Sequence, residues 1–123
     1  MNLSNAEEIL MEIIWKYGKV FMKDIIENYP DPKPATTTVA TLLKRMQNKG
    51  VVAYRLYGNS REYYPLVRKE DYFSKHVGEM VKGFFNNSNL QFASFFTTTS
   101  NLSEDELQEL KKIVEQEIKR KKT

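Results

Sequence analysis

The first 50 residues repeat one helical pattern of apolar positions three times. Apolar residues at spacing i, i+3, i+4, i+7 form three sets: Leu10, Ile13, Ile14 and Tyr17; Met22, Ile25, Ile26 and Tyr29; Val39, Leu42, Leu43 and Met46. Ser4 and Glu7 form a capping box before the first set, and Gly18 follows it. The prolines within residues 30–34 end the second set, and Gly50 ends the third. The pattern predicts three short amphipathic helices around a common core.

After Gly50 the period of the pattern changes from helical to two. The segment VVAYRLYGNSREYYPLV predicts strands near residues 51–56 and 61–67, joined by a turn at residues 58–60. Three helices followed by a β-hairpin is the order of elements in a winged helix-turn-helix. In that fold the third helix enters the DNA major groove and the hairpin, or wing, lies along the backbone. The sequence therefore predicts a mainly α winged helix-turn-helix domain over residues 1–68.

Residues 69–123 are predicted to form a helical dimerisation region. An amphipathic helix spans residues 70–85, a short phenylalanine-rich helix spans residues 90–96, and a capping box at Ser103 and Glu106 opens a final helix. About 50 residues of this kind rarely bury a core alone, whereas two interlocked copies can. The residues predicted to pair two copies are Phe73, Val77, Met80, Phe84, Phe92, Phe96, Leu107, Leu110 and Val114.

Charge is distributed unevenly along the 123 residues, whose net charge is +3. Residues 1–32 hold three basic and six acidic side chains, and residues 69–123 hold nine of each. Residues 33–68 hold seven basic side chains and one acidic side chain, Glu62. Because this basic segment contains the third helix and the wing, it indicates a surface that binds a polyanion.

The third helix opens with three threonines, which are poor helix formers. We interpret Thr36 as the N-cap and the others as a reading face, because a threonine hydroxyl can bond a phosphate and its methyl can pack on thymine. Tyr57 can bond a phosphate through its hydroxyl, as can Tyr63, although hairpin tyrosines equally serve cross-strand packing. The predicted DNA-binding residues are Thr37, Thr38, Thr41, Lys44, Arg45, Asn48, Arg55, Tyr57 and Arg61.

Several classes of function lack the residues that they need. The chain has no cysteine and one histidine, so disulfides, thiolate metal sites and a histidine metal cluster are excluded. No nucleophile and base stand in a recognisable constellation, so we expect neither an enzyme nor a cofactor; His76 is expected at the dimer interface, partly buried. No apolar run approaches the ~20 residues that span a bilayer, and Met1 to Ser4 lead straight into a helix. We expect a cytoplasmic protein.

With these residues assigned, the sequence resembles the penicillinase repressor family, which includes bacterial β-lactam-responsive and copper-responsive regulators. The segments that carry the resemblance are ILMEIIWKYGKVFMKDI, TTTVATLLKRMQNKGVVAYR, REYYPL and NLSEDELQELKKIV, and their order and spacing extend it over essentially the whole chain. The resemblance implies a homodimeric transcriptional repressor that binds palindromic operator DNA. In Thr38-Val39-Ala40-Thr41, Ala40 occupies a position where the family commonly has arginine, so the operator sequence does not carry over.

The resemblance also bears on induction. In β-lactam-responsive members a membrane-bound zinc peptidase cuts an Asn-Phe bond in the helix before the last one. The corresponding bond here is Phe95-Phe96, which keeps the phenylalanine but lacks the asparagine. Copper sensing of the family's kind needs a C-terminal cysteine cluster, which this chain lacks. The inducer and the regulated genes therefore stay open, as does one alternative function, a winged-helix protein-interaction module that does not bind DNA.

Overall fold

The computed structural model describes residues 2–123. The elements in chain order are α1 (Asn5–Tyr17), β1 (Val20–Phe21), α2 (Met22–Glu27), α3 (Thr36–Asn48), β2 (Val52–Tyr57), β3 (Ser60–Pro65), α4 (Lys69–Phe84), α5 (Asn89–Thr99) and α6 (Glu104–Lys121). Contacts divide the chain into two compact units, the first ending at Ser74 and the second beginning at Lys75. The first unit has the predicted winged-helix order.

The core of the first unit lies between its three helices and one face of the sheet. The predicted capping box of Ser4 and Glu7 is present, and Gly18 ends α1 with a φ of 79°, which glycine adopts without strain. The residues with no more than 2% exposure in this core are Leu10, Met11, Ile14, Val20, Ile25, Val39, Leu43, Met46, Val51 and Val52. The predicted helical sets thus supply most of the core, and the wing is fixed to it through the first residues of β2.

The wing has a third strand that the sequence pattern did not indicate. The two residues of β1 pair antiparallel with β3, with Val20 opposite Tyr63 and Phe21 opposite Glu62, so the strand order is β1-β3-β2. A strand of two residues is too short to show a period, which explains why the pattern predicted a simple hairpin. Its consequence is that the segment before α2 lies against the wing.

Three predicted boundaries were wrong. The N-cap of α3 is Ala35 rather than Thr36, since the N–H groups of Thr38 and Val39 both bond the carbonyl of Ala35. The helix α2 ends at Glu27, where the side-chain amide of Asn28 bonds the carbonyl of Asp24 and closes the last turn. The helix α5 spans 11 residues and is longer than the predicted 90–96; Ser88 caps its start, and the hydroxyls of Thr97 and Thr98 bond helix carbonyls near its end.

The first turns of α4 pack with the first unit. The Tyr72 side chain is 6% exposed, and its hydroxyl donates a hydrogen bond to Oε2 of Glu8 at 2.9 Å. The indole N–H of Trp15 donates to the carbonyl of Val67 at 2.8 Å, and the Trp15 ring lies 6.0 Å from that of Phe73. Residues 69–74 therefore belong to the compact body of the winged domain. The sequence-based division at residue 68 assigns them to the dimerisation region instead.

The second unit is helical and has little interior of its own. Its capping box at Ser103 and Glu106 is present as predicted. The ring of Phe85 lies 5.5 Å from Phe92 and 5.4 Å from Phe95, so α5 packs on the end of α4 through aromatic contacts. Among residues 75–123, all of which the structure describes, only Val81 is buried, with 3% exposure.

Candidate nucleic-acid interface

The helix α3 divides its residues between a core side and an exposed side. Val39, Leu43 and Met46 have no exposed area, which fixes the rotation of the helix. The polar residues predicted to bind DNA all lie on the opposite, exposed side: Thr37, Thr38, Thr41, Lys44, Arg45 and Asn48. The structure therefore brings these six residues onto one face, and Ala40 lies exposed beside them. We call these six residues the α3 face.

The threonines of the α3 face are partly ordered by the helix itself. The hydroxyl of Thr41 donates a hydrogen bond to the carbonyl of Thr37 at 3.0 Å. This bond uses the hydroxyl proton of Thr41 and leaves its methyl group and the oxygen lone pairs for a ligand. No side chain caps the start of α3, so the N–H groups of Thr36 and Thr37 have no side-chain acceptor, whereas the N–H of Thr38 bonds the carbonyl of Ala35.

The cations of the α3 face have no carboxylate partner among residues 2–123. Lys44 and Arg45 are exposed, and neither forms one of the described ion pairs. Lys49, at the C-terminal end of the same helix, is different, because its ammonium is paired with Glu7. The positive charge available to a phosphate on α3 is therefore that of Lys44 and Arg45.

The wing residues predicted to bind DNA lie on two faces of the hairpin. Arg55 pairs with Glu62 and Tyr57 with Ser60, whereas Arg61 pairs with Leu56. Because alternate residues of a strand point to opposite faces, Arg55 and Tyr57 share one face and Arg61 lies on the other. The structure thus does not bring the three onto a single surface.

Aromatic rings hold both wing arginines in place. The guanidinium of Arg61 lies 4.3 Å from the ring centroid of Tyr54, and that of Arg55 lies 5.5 Å from Tyr57. A hydrogen bond with the Tyr63 side chain raises the pKa of Arg61 above its ordinary value. Tyr63 itself is buried against the core, so it serves packing rather than phosphate contact. Both arginines are exposed and permanently charged.

The third strand places beside the wing a cation that the sequence pattern did not indicate. Lys23, in the first turn of α2, lines a cleft of about 440 Å³ together with Arg61 and the hairpin turn. The charge distribution along the sequence did not single out Lys23, because residues 1–32 hold more acidic than basic side chains. Only the pairing of β1 with β3 shows that Lys23 adds to the basic surface of the wing.

The residues predicted to pair two copies have different environments. Val77, Met80, Phe84, Phe96, Leu107 and Val114 are exposed, with Phe84 at 85%. Phe92 and Leu110 are half-buried, and Phe73 packs against Trp15 and Tyr72 in the first unit. The Phe95-Phe96 bond lies inside α5, with both side chains exposed.

No group of histidine or acidic side chains within residues 2–123 is arranged to hold a metal ion. Over the same range, no helix combines the length and apolarity needed to cross a membrane. His76 is partly buried.

Comparison of sequences places this chain among bacterial regulators. Residues 3–116 match a family model described as penicillinase repressor. The chain is 26% identical over 121 residues to the penicillinase repressor of Bacillus licheniformis, a match that covers 98% of this chain and 94% of that protein. It is 31% identical over 117 residues to the methicillin resistance regulatory protein MecI of Staphylococcus aureus, and this match covers 91% of this chain and 92% of that protein.

Comparison of structures supports the same fold for the first unit. A solution structure of the DNA-binding domain of the repressor BlaI matches 58% of this chain and 88% of that chain, with 26% identity and a TM-score of 0.52. The monomeric form of Bacillus licheniformis BlaI, solved in complex with the blaP half-operator, matches 58% of this chain and 89% of that chain with a TM-score of 0.50. These similarities confirm the predicted winged-helix fold.

Proposed function

Because the chain belongs to the penicillinase repressor family of DNA-binding transcriptional repressors, we propose that it binds operator DNA through α3 and the wing. The observation that carries this assignment is the α3 face, whose six polar residues are exposed while the opposite side of the helix is fully buried. A recognition helix needs this division, since one side must hold the helix rigidly and the other must reach base edges and phosphates.

The threonines and the cations of the α3 face have roles that fit their chemistry. Thr37, Thr38 and Thr41 contact bases and nearby phosphates, because small side chains allow the helix to approach closely. Lys44 and Arg45 contact phosphates and set the salt dependence of binding. Arg61 extends the phosphate contacts from one face of the wing, and Arg55 and Tyr57 extend them from the other face.

The repressor acts as a homodimer on two half-sites. Only Val81 is buried in the second unit, while apolar residues of α4, α5 and α6 are exposed, so a second copy supplies the interior that one copy lacks. A two-fold symmetric dimer binds a palindromic operator whose half-sites are about one helical turn, roughly 34–36 Å, or a multiple apart. Operator DNA is cytoplasmic, and so is the repressor.

Salt-dependent binding to random duplex DNA tests the DNA-binding role. We expect the affinity to fall steeply with salt through counterion release, and the slope to become shallower when Lys44 and Arg45 are both replaced by alanine. The matched control is the pair Lys111→Ala and Lys112→Ala on α6, which should leave the slope unchanged. Weak binding by the wild-type chain at every salt concentration would favour the protein-interaction alternative. If the wild-type chain does bind DNA, footprinting upstream of its own gene would locate the half-sites.

Sedimentation velocity tests the dimer. Val114→Glu places a charge in the exposed apolar surface of α6 and should shift the protein towards a monomer. Gln116→Glu adds the same charge on the same helix, outside the residues predicted to pair, and should leave the dimer intact. An unchanged dimer with Val114→Glu would show that α6 does not form the interface.

Induction by proteolysis follows the β-lactam-responsive members. A membrane-bound sensor peptidase cuts the bond between Phe95 and Phe96 and separates the final helix from the rest. Since this bond lies inside α5, the helix must open locally before a peptidase can bind it as an extended strand. Incubation with cells that carry the induced sensor, followed by mass spectrometry, should reveal a new N-terminus at Phe96, and its absence would contradict this step.

A further inference from the structure

The third strand creates a cleft between the start of α2 and the tip of the wing. In the β1-β3 register Phe21 lies opposite Glu62, and the antiparallel direction places the following residues of α2 towards the hairpin turn. The cleft has a volume of about 440 Å³ and is lined on one side by Met22 and Lys23, and on the other by Asn59, Ser60 and Arg61. Both sides belong to the first unit.

The groups that line this cleft are those that bind phosphate. Lys23 and Arg61 supply positive charge from two different elements, and the side chains of Asn59 and Ser60 supply hydrogen-bond donors. Arg61 is held over the Tyr54 ring, which orders its guanidinium before any ligand arrives. Two cations that converge on one cleft suit a bound anion.

Neither of the two cations, Lys23 and Arg61, forms an ion pair with a nearby carboxylate among residues 2–123. The carboxylate of Asp24 accepts a hydrogen bond from the N–H of Phe21 at 3.2 Å, within its own turn. Glu62 lies on the opposite face of the hairpin from Arg61, because neighbouring residues of a strand alternate.

We propose that this cleft binds a backbone phosphate of the operator, with Lys23 and Arg61 on either side of it. The proposal rests on the DNA-binding function proposed above and adds a contact from α2 to those of α3 and the wing. The cleft is open and lined by exposed cations, so it suits a phosphate presented by a long polyanion, whose binding is reinforced by counterion release and neighbouring contacts. The contact positions the duplex and reads no base.

The first experiment measures the affinity of the full-length protein for random and operator duplexes as a function of salt. Loss of one phosphate contact should lower the slope of log K against log salt by about 0.9, and the affinity near 0.15 M salt roughly fivefold, equally for both duplexes. We expect this result for Lys23→Ala and recovery with Lys23→Arg. Lys16→Ala is the matched control, because Lys16 is also exposed but lines a different cleft, next to Pro65 at the far end of β3.

The second experiment neutralises single phosphates of the duplex with methylphosphonate. At one phosphate, the losses of binding free energy caused by Lys23→Ala and by the neutral linkage should be non-additive. The losses caused by Arg61→Ala and the neutral linkage should be non-additive at the same phosphate or at its neighbour. A titration of the wild-type chain with inorganic phosphate separates the two sources of this anion. Saturable binding of inorganic phosphate that Lys23→Ala abolishes, without any change in DNA affinity, would assign the cleft to a free anion and overturn the proposal.

The outcomes separate this proposal from the function on which it rests. If the wild-type chain binds DNA steeply with salt and Lys23→Ala has the same slope, the cleft does not hold a phosphate and the DNA-binding function stands. If the wild-type chain binds no DNA, the DNA-binding function fails and the cleft assignment fails with it.

Discussion

The ammonium of Lys49 lies 2.6 Å from Oε1 of Glu7, and this ion pair joins the C-terminal end of α3 to the first turn of α1. The same ammonium donates a hydrogen bond to the carbonyl of Asn2 at 2.9 Å, and Glu7 Oε1 also accepts one from the N–H of Ser4 at 2.8 Å. Glu7 is 1% exposed, so its charge is desolvated and relies on these partners. The helix α3 is thereby fixed at its C-terminal end as well as along its core side.

Glu7 should make the free energy of unfolding depend on pH in the acidic range. Burial by itself raises the pKa of Glu7, but the hydrogen bond from Lys49 and those from Ser4 outweigh it and hold the pKa below its ordinary value of 4.5. The carboxylate therefore stabilises the fold fully above about pH 4.5, and this contribution is lost as the pH falls through the lower folded-state pKa. Urea unfolding at a series of pH values should show less of this acid dependence in Glu7→Gln.

A matched pair of variants measures how much the burial of the Glu7 ion pair matters to the free energy of unfolding. Glu7→Gln leaves Lys49 without its carboxylate and should lower the free energy of unfolding at pH 7 by roughly 1–3 kcal/mol. Glu12→Gln removes a glutamate of the same helix that also pairs with a lysine, Lys69, but in an exposed pair, and should cost less than about 1 kcal/mol. Equal losses for the two variants would contradict the structural role of the buried pair.

Thr41 should contribute more to operator recognition than to general DNA affinity. Its hydroxyl proton is bonded to the carbonyl of Thr37, so the methyl group is left to contact a thymine and the oxygen lone pairs are left to accept a hydrogen bond. Thr41→Ala should weaken operator binding more than random-duplex binding, and Thr41→Val, which keeps a methyl group in a β-branched side chain, should recover most of the difference. Anisotropy titrations with both duplexes measure this, and equal losses would mean that Thr41 contacts only phosphate.

Ala40 should be a position where operator preference can be changed. It is exposed beside the α3 face, and the resemblance to the penicillinase repressor family implies that arginine is common at this position. Arginine can bond O6 and N7 of guanine and is worth about 1–3 kcal/mol of discrimination. Selection from a random half-site library should therefore enrich one additional guanine for Ala40→Arg relative to wild type, and identical selected sequences would show that this position faces no base.

Truncation should separate the two units at residue 74 rather than 68. A chain ending at Ser74 keeps Tyr72, which is buried and bonded to Glu8, and Phe73, which packs on Trp15. We expect it to be a folded monomer by sedimentation, with much weaker operator affinity because the two half-sites are no longer linked. A chain ending at Arg68 lacks both aromatic side chains and should unfold at a lower urea concentration. A dimer of the 74-residue fragment would refute the division of roles between the units.

The sequence by itself determined the identity and order of the three helices and of the two hairpin strands in the winged domain. The helical sets around Leu10 and Leu43 were long enough to show their period, so the fold and the exposed side of α3 could both be predicted. The boundary at Thr36 could not, because whether a threonine or the preceding Ala35 caps a helix depends on the backbone path after Pro34.

Only the tertiary structure decided which distant residues meet. The strand at Val20 is two residues long and carries no period, so its pairing with Tyr63 and the resulting position of Lys23 beside Arg61 depend on the folded chain. The pairing of Glu7 with Lys49 is likewise invisible in sequence, since 42 residues separate them. Sequence periodicity reports which side of an element is buried, whereas contacts between elements depend on how their buried sides pack together.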